Sequence, residues 1–336
     1  MTSNKNLIKT ARLFKNPSVV LPILDCALLL EDKIIFCDLE NFISIPYKTG
    51  ISATVPNGQL ITVLDNFKKP SFKKKEFSVF ISEGKQTVEI FSEDTGNYPA
   101  MPAHSEAEMI GDIPESEIAD ILDASEFTSK DFLRPVMMRI QVWDHIAATD
   151  AHRLFFLKKQ NPLSSQILLT DKAAKLMGIF QGNWRVKKDK FVVSLTNEEG
   201  VIIYFKYDDL NFPSWKDVLP KVTDKTSSAI FDVKEMLAAI KMGSKFGNHS
   251  SKQGVISLAE KVCNYSTDDA DFSTGYCAEI SVNFDKPIEI AFNWDFLSHI
   301  LGKFKEERTV KMHYFDQKKG AIFGGKYLIM PLMMNK

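Results

Sequence analysis

One plan occurs three times along the chain, and it constrains the fold more than any single motif does. Each time, a stretch with apolar residues at helical period leads into strand-like stretches, then a second helix, then further strands. The helices are read at Asn6–Lys15 and Asn57–Lys68, at Glu115–Ser125 and Asp171–Gln181, and at Asp232–Lys245 and Asn293–Phe304. Between them, segments such as ALLLEDKIIFCDL, FSVFIS, TVEIFS, FVVSLT, VIIYFKYDDL and TVKMHYFD are rich in β-branched and aromatic residues and alternate as half-buried strands do. Proline-bearing turns at Tyr98–Pro102 and Phe212–Pro220 separate the rounds. A chain of 336 residues is also too long for one ordinary core. The reading is α+β, in three similar domains at 1–108, 109–220 and 221–336.

Composition narrows the class without naming a function. Apolar residues make up 44% and charged residues 25%, an ordinary mixture for a water-soluble globular protein. No apolar run is long enough to span a bilayer, and the opening MTSNKNLIKTARLFK lacks the apolar centre of a signal peptide. Cys26, Cys37, Cys263 and Cys277 are scattered without CxxC spacing, so neither a zinc site nor a disulfide framework is expected, and a reducing cytoplasm is the natural setting. The net charge of −1 does not announce nucleic-acid binding, although a neutral total can conceal a basic face.

The candidates for catalysis are weak. Asp150, His152 and Ser164 or Ser165 suggest a hydrolase, but there is no GxSxG elbow, and a turn capped by Asp150 explains the same residues. Asp268, Asp269 and Asp271 lack the glycine and the bidentate glutamate of an EF-hand, so a solvated hairpin turn is the plainer reading. Gly324-Gly325 precedes a strand and reads as a turn or bulge rather than a phosphate loop. The histidines have no metal-ligand spacing. No cofactor and no metal are expected.

Four segments in order along the chain carry a resemblance. VLPILDCALLL with CDLENFISI is similar to an LPIL strand followed by a "TDLE" strand start. AATDAHRLFFLKK resembles "ATDGHRLA", NFPSWKDVLP resembles "FPDYRRVLP", and the closing KYLIMPLMM resembles "YVVMPMRL". These are motifs of the β subunit of bacterial DNA polymerase III, the sliding clamp family. The resemblance runs the whole length of the chain.

It implies a clamp that encircles double-stranded DNA without reading its sequence, as a processivity factor in DNA replication and an accessory subunit with no catalytic site of its own. The clamp fold puts helices around a central hole and sheets outside, in a ring closed by a head-to-tail homodimer. Cations on the inner helices would meet phosphates: Lys5, Lys9, Arg12, Lys15, Lys68, Lys69, Lys130, Arg134, Lys172, Lys175, Lys234, Lys241, Lys245, Lys303 and Lys305. The acidic helix at Glu115–Glu126 departs from such a lining. The resemblance places a cleft for short apolar motifs of polymerases, the clamp loader and repair proteins at Met137, Thr149, Ala151, His152, Arg153, Leu154, Pro213, Val218, Leu328, Met330, Pro331, Leu332 and Met334. It places the dimer interface between a strand near Val88 and Ile90 and a helix bearing Met242 and Phe246.

Three positions depart from the family pattern: Ala151 stands where the family has Gly, Asp217 where Arg is usual, and Met333 where Arg is frequent. With the reduced length, they keep open a clamp paralogue of a phage or mobile element that binds or sequesters partners. A hydrolase using His152 and Asp150 is the alternative from a different class.

Overall fold

A computed structural model describes residues 3–15, 21–102, 106–207 and 210–334. Its α-helices are α1 (Asn4–Phe14), α2 (Asn57–Asn66), α3 (Ile118–Ser125), α4 (Asp171–Ile179), α5 (Trp215–Val218), α6 (Val233–Gly243) and α7 (Trp294–Gly302). The six helices expected from periodicity are present near their expected bounds, and α5 is a short addition. The acidic helix starts as a 3-10 turn at Glu115–Glu117 before α3 takes over.

Local chemistry sets where the helices begin. On α1 the Ser3 hydroxyl accepts the Asn6 N–H, and Leu7, Ile8, Ala11 and Phe14 turn one stripe inward. Burying each of Leu7, Ile8 and Phe14 contributes about 1.5–3 kcal/mol. The opposite face carries Lys5, Lys9 and Arg12, all exposed.

Three later helices grow directly out of strands, the strand's last residue serving as the cap. Thr170 closes the strand Ile167–Thr170 and accepts the Ala173 N–H into α4. Asp232 closes Ser227–Asp232 and accepts from Lys234 and Glu235 into α6. Asn293 closes Ile288–Asn293 and accepts from Asp295 and Phe296 into α7. With no intervening loop, the direction of the strand fixes the departure of the helix.

Contacts group the chain into two compact units. The first comprises Met1–Glu126, Met138–Ile146 and Lys158–Asn211, and the second Phe127–Met137, Ala147–Leu157 and Phe212–Lys336. In the first, an eight-stranded antiparallel sheet runs in the order Ala53–Pro56, Cys26–Leu29, Lys33–Cys37, Asn41–Pro46, Ile202–Lys206, Val192–Asn197, Trp184–Lys188, Glu108–Ile113. Helix α1 packs on α2 and α3 on α4. A separate three-stranded sheet orders Ser71–Lys75, Ser78–Glu83 and Gln86–Phe91, the last an edge strand.

In the second unit, the strand beginning at Arg153 is followed across its sheet by Tyr327–Ile329, Ala321–Phe323, Thr309–Tyr314, Ser227–Asp232 and Val282–Phe284. A four-stranded sheet orders Thr274–Ile280, Val262–Asp269, Gln253–Ala259 and Ile288–Asn293, with Thr274–Ile280 at its edge. Helix α6 packs on α7. Gly324 and Gly325 form the turn between Ala321–Phe323 and Tyr327–Ile329 at φ of +55° and +76°. A side chain on Gly324 would collide with the Phe304 ring.

Candidate functional site

The site begins with a turn. In the hairpin between His145–Thr149 and Arg153–Lys158, Asp150 Oδ1 accepts the N–H groups of His152 and Arg153 at 3.0 and 2.7 Å. Ala151 is held at φ +75°, and Thr149 Oγ1 accepts its N–H at 3.0 Å. The same construction occurs at Asp38, whose Oδ1 accepts from Glu40 and Asn41 with Leu39 at φ +71°. Thus the CDLEN and ATDAHR motifs are the same turn built twice.

The turn is rigid because Arg153 braces it. Its Nε and Nη2 donate to Asp150 Oδ2 at 2.9 and 2.7 Å. Its guanidinium lies over the rings of Phe296 and Phe127, 4.5 and 5.2 Å from their centroids, and Nη1 lies 2.8 Å from His299 Nδ1. The His152 ring stacks on Phe296 at 5.8 Å.

Beside this turn lies a pocket of about 320 Å³ within the second unit. Met137, Thr149, Ala151, His152, Arg153, Leu154, Pro213, Val218, Leu328 and Met330 line it, so ten of the thirteen residues expected at the cleft are brought together. Ser214 and Trp215 line it too and were not anticipated. Trp215 is buried in a cluster with Ala147, Leu154, Ile322 and Leu328, with Phe156 packed against it. Val218, by contrast, is 58% exposed at the mouth.

Pro331, Leu332 and Met334 do not line the pocket. The Met330 N–H is donated to the His152 carbonyl at 2.9 Å, and the Leu332 N–H is then taken by the Ala291 carbonyl at 2.8 Å, which draws the chain away. Asp217 and Met333 are both exposed.

Hydrolase chemistry finds no support in this geometry. Both Asp150 oxygens are engaged by the turn's own N–H groups and by Arg153, and none of these bonds reaches the His152 ring. The aspartates of the acidic hairpin do not gather as metal ligands either. Asp269 is buried and accepts the Asp271 N–H, and no cluster suited to a metal ion occurs among the described residues.

The expected DNA-facing cations fall into distinct settings. Lys5, Lys9, Arg12, Lys172, Lys175, Lys234 and Lys241 lie on helices, while Lys15, Lys245, Lys303 and Lys305 lie at or just past helix ends. Arg12 pairs with Asp65, Lys175 with Asp171, and Lys172 with Asp38 while lying over the Phe14 ring. Lys68 and Lys69 follow α2, their backbone N–H groups held by the Glu83 carboxylate. Lys130 and Arg134, expected on an inner helix, are not helical. They lie in a loop closed by the Ser129 N–H on the Met137 carbonyl, because Asp131 caps the Leu133 N–H and pairs with Arg134.

Part of the acidity before α3 has a structural cause. Glu117 forms an ion pair with Lys159, whose side chain is fully buried. The expected interface residues divide as well, with Val88, Met242 and Phe246 exposed and Ile90 3% exposed, buried under its own sheet.

This arrangement of paired helices and antiparallel sheets is the fold of the bacterial DNA polymerase sliding clamps. The DNA polymerase III beta subunit from Thermotoga maritima matches with a TM-score of 0.86 at 18% identity, over 99% of this chain and 98% of that one. The DNA polymerase sliding clamp from Pseudomonas aeruginosa, solved with a ligand, matches with a TM-score of 0.83 at 17% identity, over 99% of both chains. The sliding clamp from Bartonella birtlesii, solved bound to griselimycin, matches with a TM-score of 0.84 at 16% identity, over 99% of this chain and 98% of that one. No family model matches the chain, and no curated protein matches it.

Proposed function

We propose that this protein is a DNA sliding clamp, a ring that encircles duplex DNA and tethers the replicative polymerase and other partners to it. The observation that carries the reading is the clamp fold over 99% of the chain. The helix pairs α1–α2, α3–α4 and α6–α7 favour three domains, at 1–108, 109–220 and 221–336. Two head-to-tail copies would supply six such pairs around one hole.

The residues fit the work. The exposed cations of α1 can meet phosphates without any base contact, so the ring holds DNA yet moves along it. The pocket of about 320 Å³, with Met137, Leu154, Leu328 and Met330 in its walls, suits an apolar side chain of a partner's short motif. Partners held on the same DNA gain effective concentration, so a small pocket suffices. No helix among the described residues is long and apolar enough to cross a membrane; a cytoplasmic setting is part of the clamp reading itself.

The test is topological. With a clamp loader, the protein should remain on a nicked circular duplex through a high-salt wash and leave once the circle is cut. Equal loss from intact and cut circles would overturn the reading.

A further inference from the structure

A second pocket, of about 640 Å³, lies wholly within the first unit. The proposed partner site and the cation-bearing helices use none of its residues. Its floor is formed by the last three strands of the eight-stranded sheet. Thr196, Arg185 and Asp112 stand abreast there, on Val192–Asn197, Trp184–Lys188 and Glu108–Ile113. Opposed residues share a face of a sheet, and the neighbouring Leu195, Trp184 and Ile113 are buried on the other face.

The walls are held in place by the protein's own bonds. Asn161 and Pro162 follow Lys159, whose fully buried side chain pairs with Glu117. Beyond them Leu163 is buried with its N–H on the Trp143 carbonyl, and the Ser164 N–H is donated to the Ile110 carbonyl. The strand beneath makes room for this crossing. Its register shifts beside Val186, and Gly111 takes φ +137°, where a side chain would strike Leu163. On the opposite wall, Asn183 Oδ1 accepts the Glu115 N–H at 3.0 Å, and Asn197 Oδ1 accepts the Val201 N–H at 2.9 Å. A buried ion pair by itself adds little stability, so Lys159 and Glu117 are better explained by the loop they fix.

The walls are complete, but the charged groups between them are unmatched. Arg185 and Asp112 face each other in the register, yet neither side chain makes a hydrogen bond or ion pair among the described residues. The same holds for the side chains of Thr196 and Asn161. Glu198, also in the lining, accepts the Asn183 amide at 3.4 Å. One guanidinium (Arg185) and two carboxylates (Asp112 and Glu198) leave the lining with a negative excess. No aromatic side chain among the described residues lines the pocket, so it offers no platform for a base.

We propose that this pocket binds a small, peptide-like zwitterion of net positive charge, its carboxylate on Arg185 and Thr196 and its cationic groups on Asp112 and Glu198. A ligand of both signs gives Arg185 and Asp112 a partner each without drawing them together. The volume falls in the range that encloses a ligand of several functional groups. The inference goes beyond the clamp reading and does not depend on it.

Calorimetric titration of the full chain with the dipeptide lysyl-alanine, which carries one carboxylate and two ammonium groups, tests the site. Its C-terminal amide lacks the carboxylate, and its doubly N-acetylated form lacks both cations. The free dipeptide should bind with a dissociation constant of about 1 mM or lower, and each blocked form about tenfold or more weakly. Arg185→Gln and Asp112→Asn, at exposed strand positions, should each weaken binding about tenfold while leaving the melting temperature in place. Binding of the free dipeptide weaker than about 1 mM would overturn the site. Equal affinity for the dipeptide and its amide, or native affinity in either variant, would overturn the assignment of charges.

Discussion

Arg153 and Asp150 are joined by a two-pronged ion pair, Nε and Nη2 to a single carboxylate oxygen, at the rim of the pocket. Both side chains are largely buried, at 12% and 13% exposure, so each supplies the other's hydrogen bonds. Arg153→Ala should cost about 2–4 kcal/mol, because it leaves the Asp150 charge short of a partner. Arg153→Lys should recover only part of this, since an ammonium cannot donate twice in one plane while lying over Phe296 and Phe127. Urea unfolding of the three proteins checks the order.

Ala151 occupies a backbone conformation that favours glycine, at φ +75°. Ala151→Gly should therefore stabilise the protein by about 1 kcal/mol. Leu39 sits at φ +71° in the matching turn, and Leu39→Gly should act in the same direction. An unchanged or lower melting temperature in both would contradict this account of the turns.

Trp215 and Val218 share one short helix but should fail differently. Trp215→Ala empties a buried cluster and should cost about 3–5 kcal/mol of stability along with peptide binding. Val218→Ala, at an exposed position, should change stability by less than about 0.5 kcal/mol while weakening the binding of an apolar peptide. Calorimetric titration beside a melting curve separates the two.

The exposed face of α1 makes a third contrast. Lys5→Glu with Lys9→Glu should leave folding almost unchanged and flatten the salt dependence of direct binding to linear duplex. Binding at matched sequence and several salt concentrations gives the slope.

Burial pushes the thiols of Cys26, Cys37 and Cys263 up to about 12, so they stay protonated at neutral pH. An alkylating reagent at pH 8 should spare all three in the folded protein and modify them after denaturation, as adduct masses will report. Cys277 is exposed on the edge strand Thr274–Ile280 and should be alkylated without denaturation.

Much of this was legible in the sequence, for reasons that are themselves local. Thr170, Asp232 and Asn293 announce helix starts because a cap acts over three residues. The ATDAHR turn is likewise written in adjacent residues. Trp215 was not legible as pocket lining, because its burial depends on Leu154 and Leu328, which are remote in sequence. Lys130 and Arg134 were counted among the inner-helix cations although the helix read there ends at Ser125, and Asp131 builds a loop by hydrogen bonds that periodicity does not register. Val88 and Ile90 share one face of their strand, opposite Ile81 and Val79, and alternation does not say which of the two is covered.

The bond between Leu332 and Ala291 bears on how the protein can be followed in living cells. A fluorescent domain fused beyond Met334 would strain this bond, which lies two residues past the Met330 that lines the pocket. Such a tag would report location while impairing the interactions that determine it. The turn at Gly50, at φ +71° with open space around it, offers a point of attachment within the first unit instead.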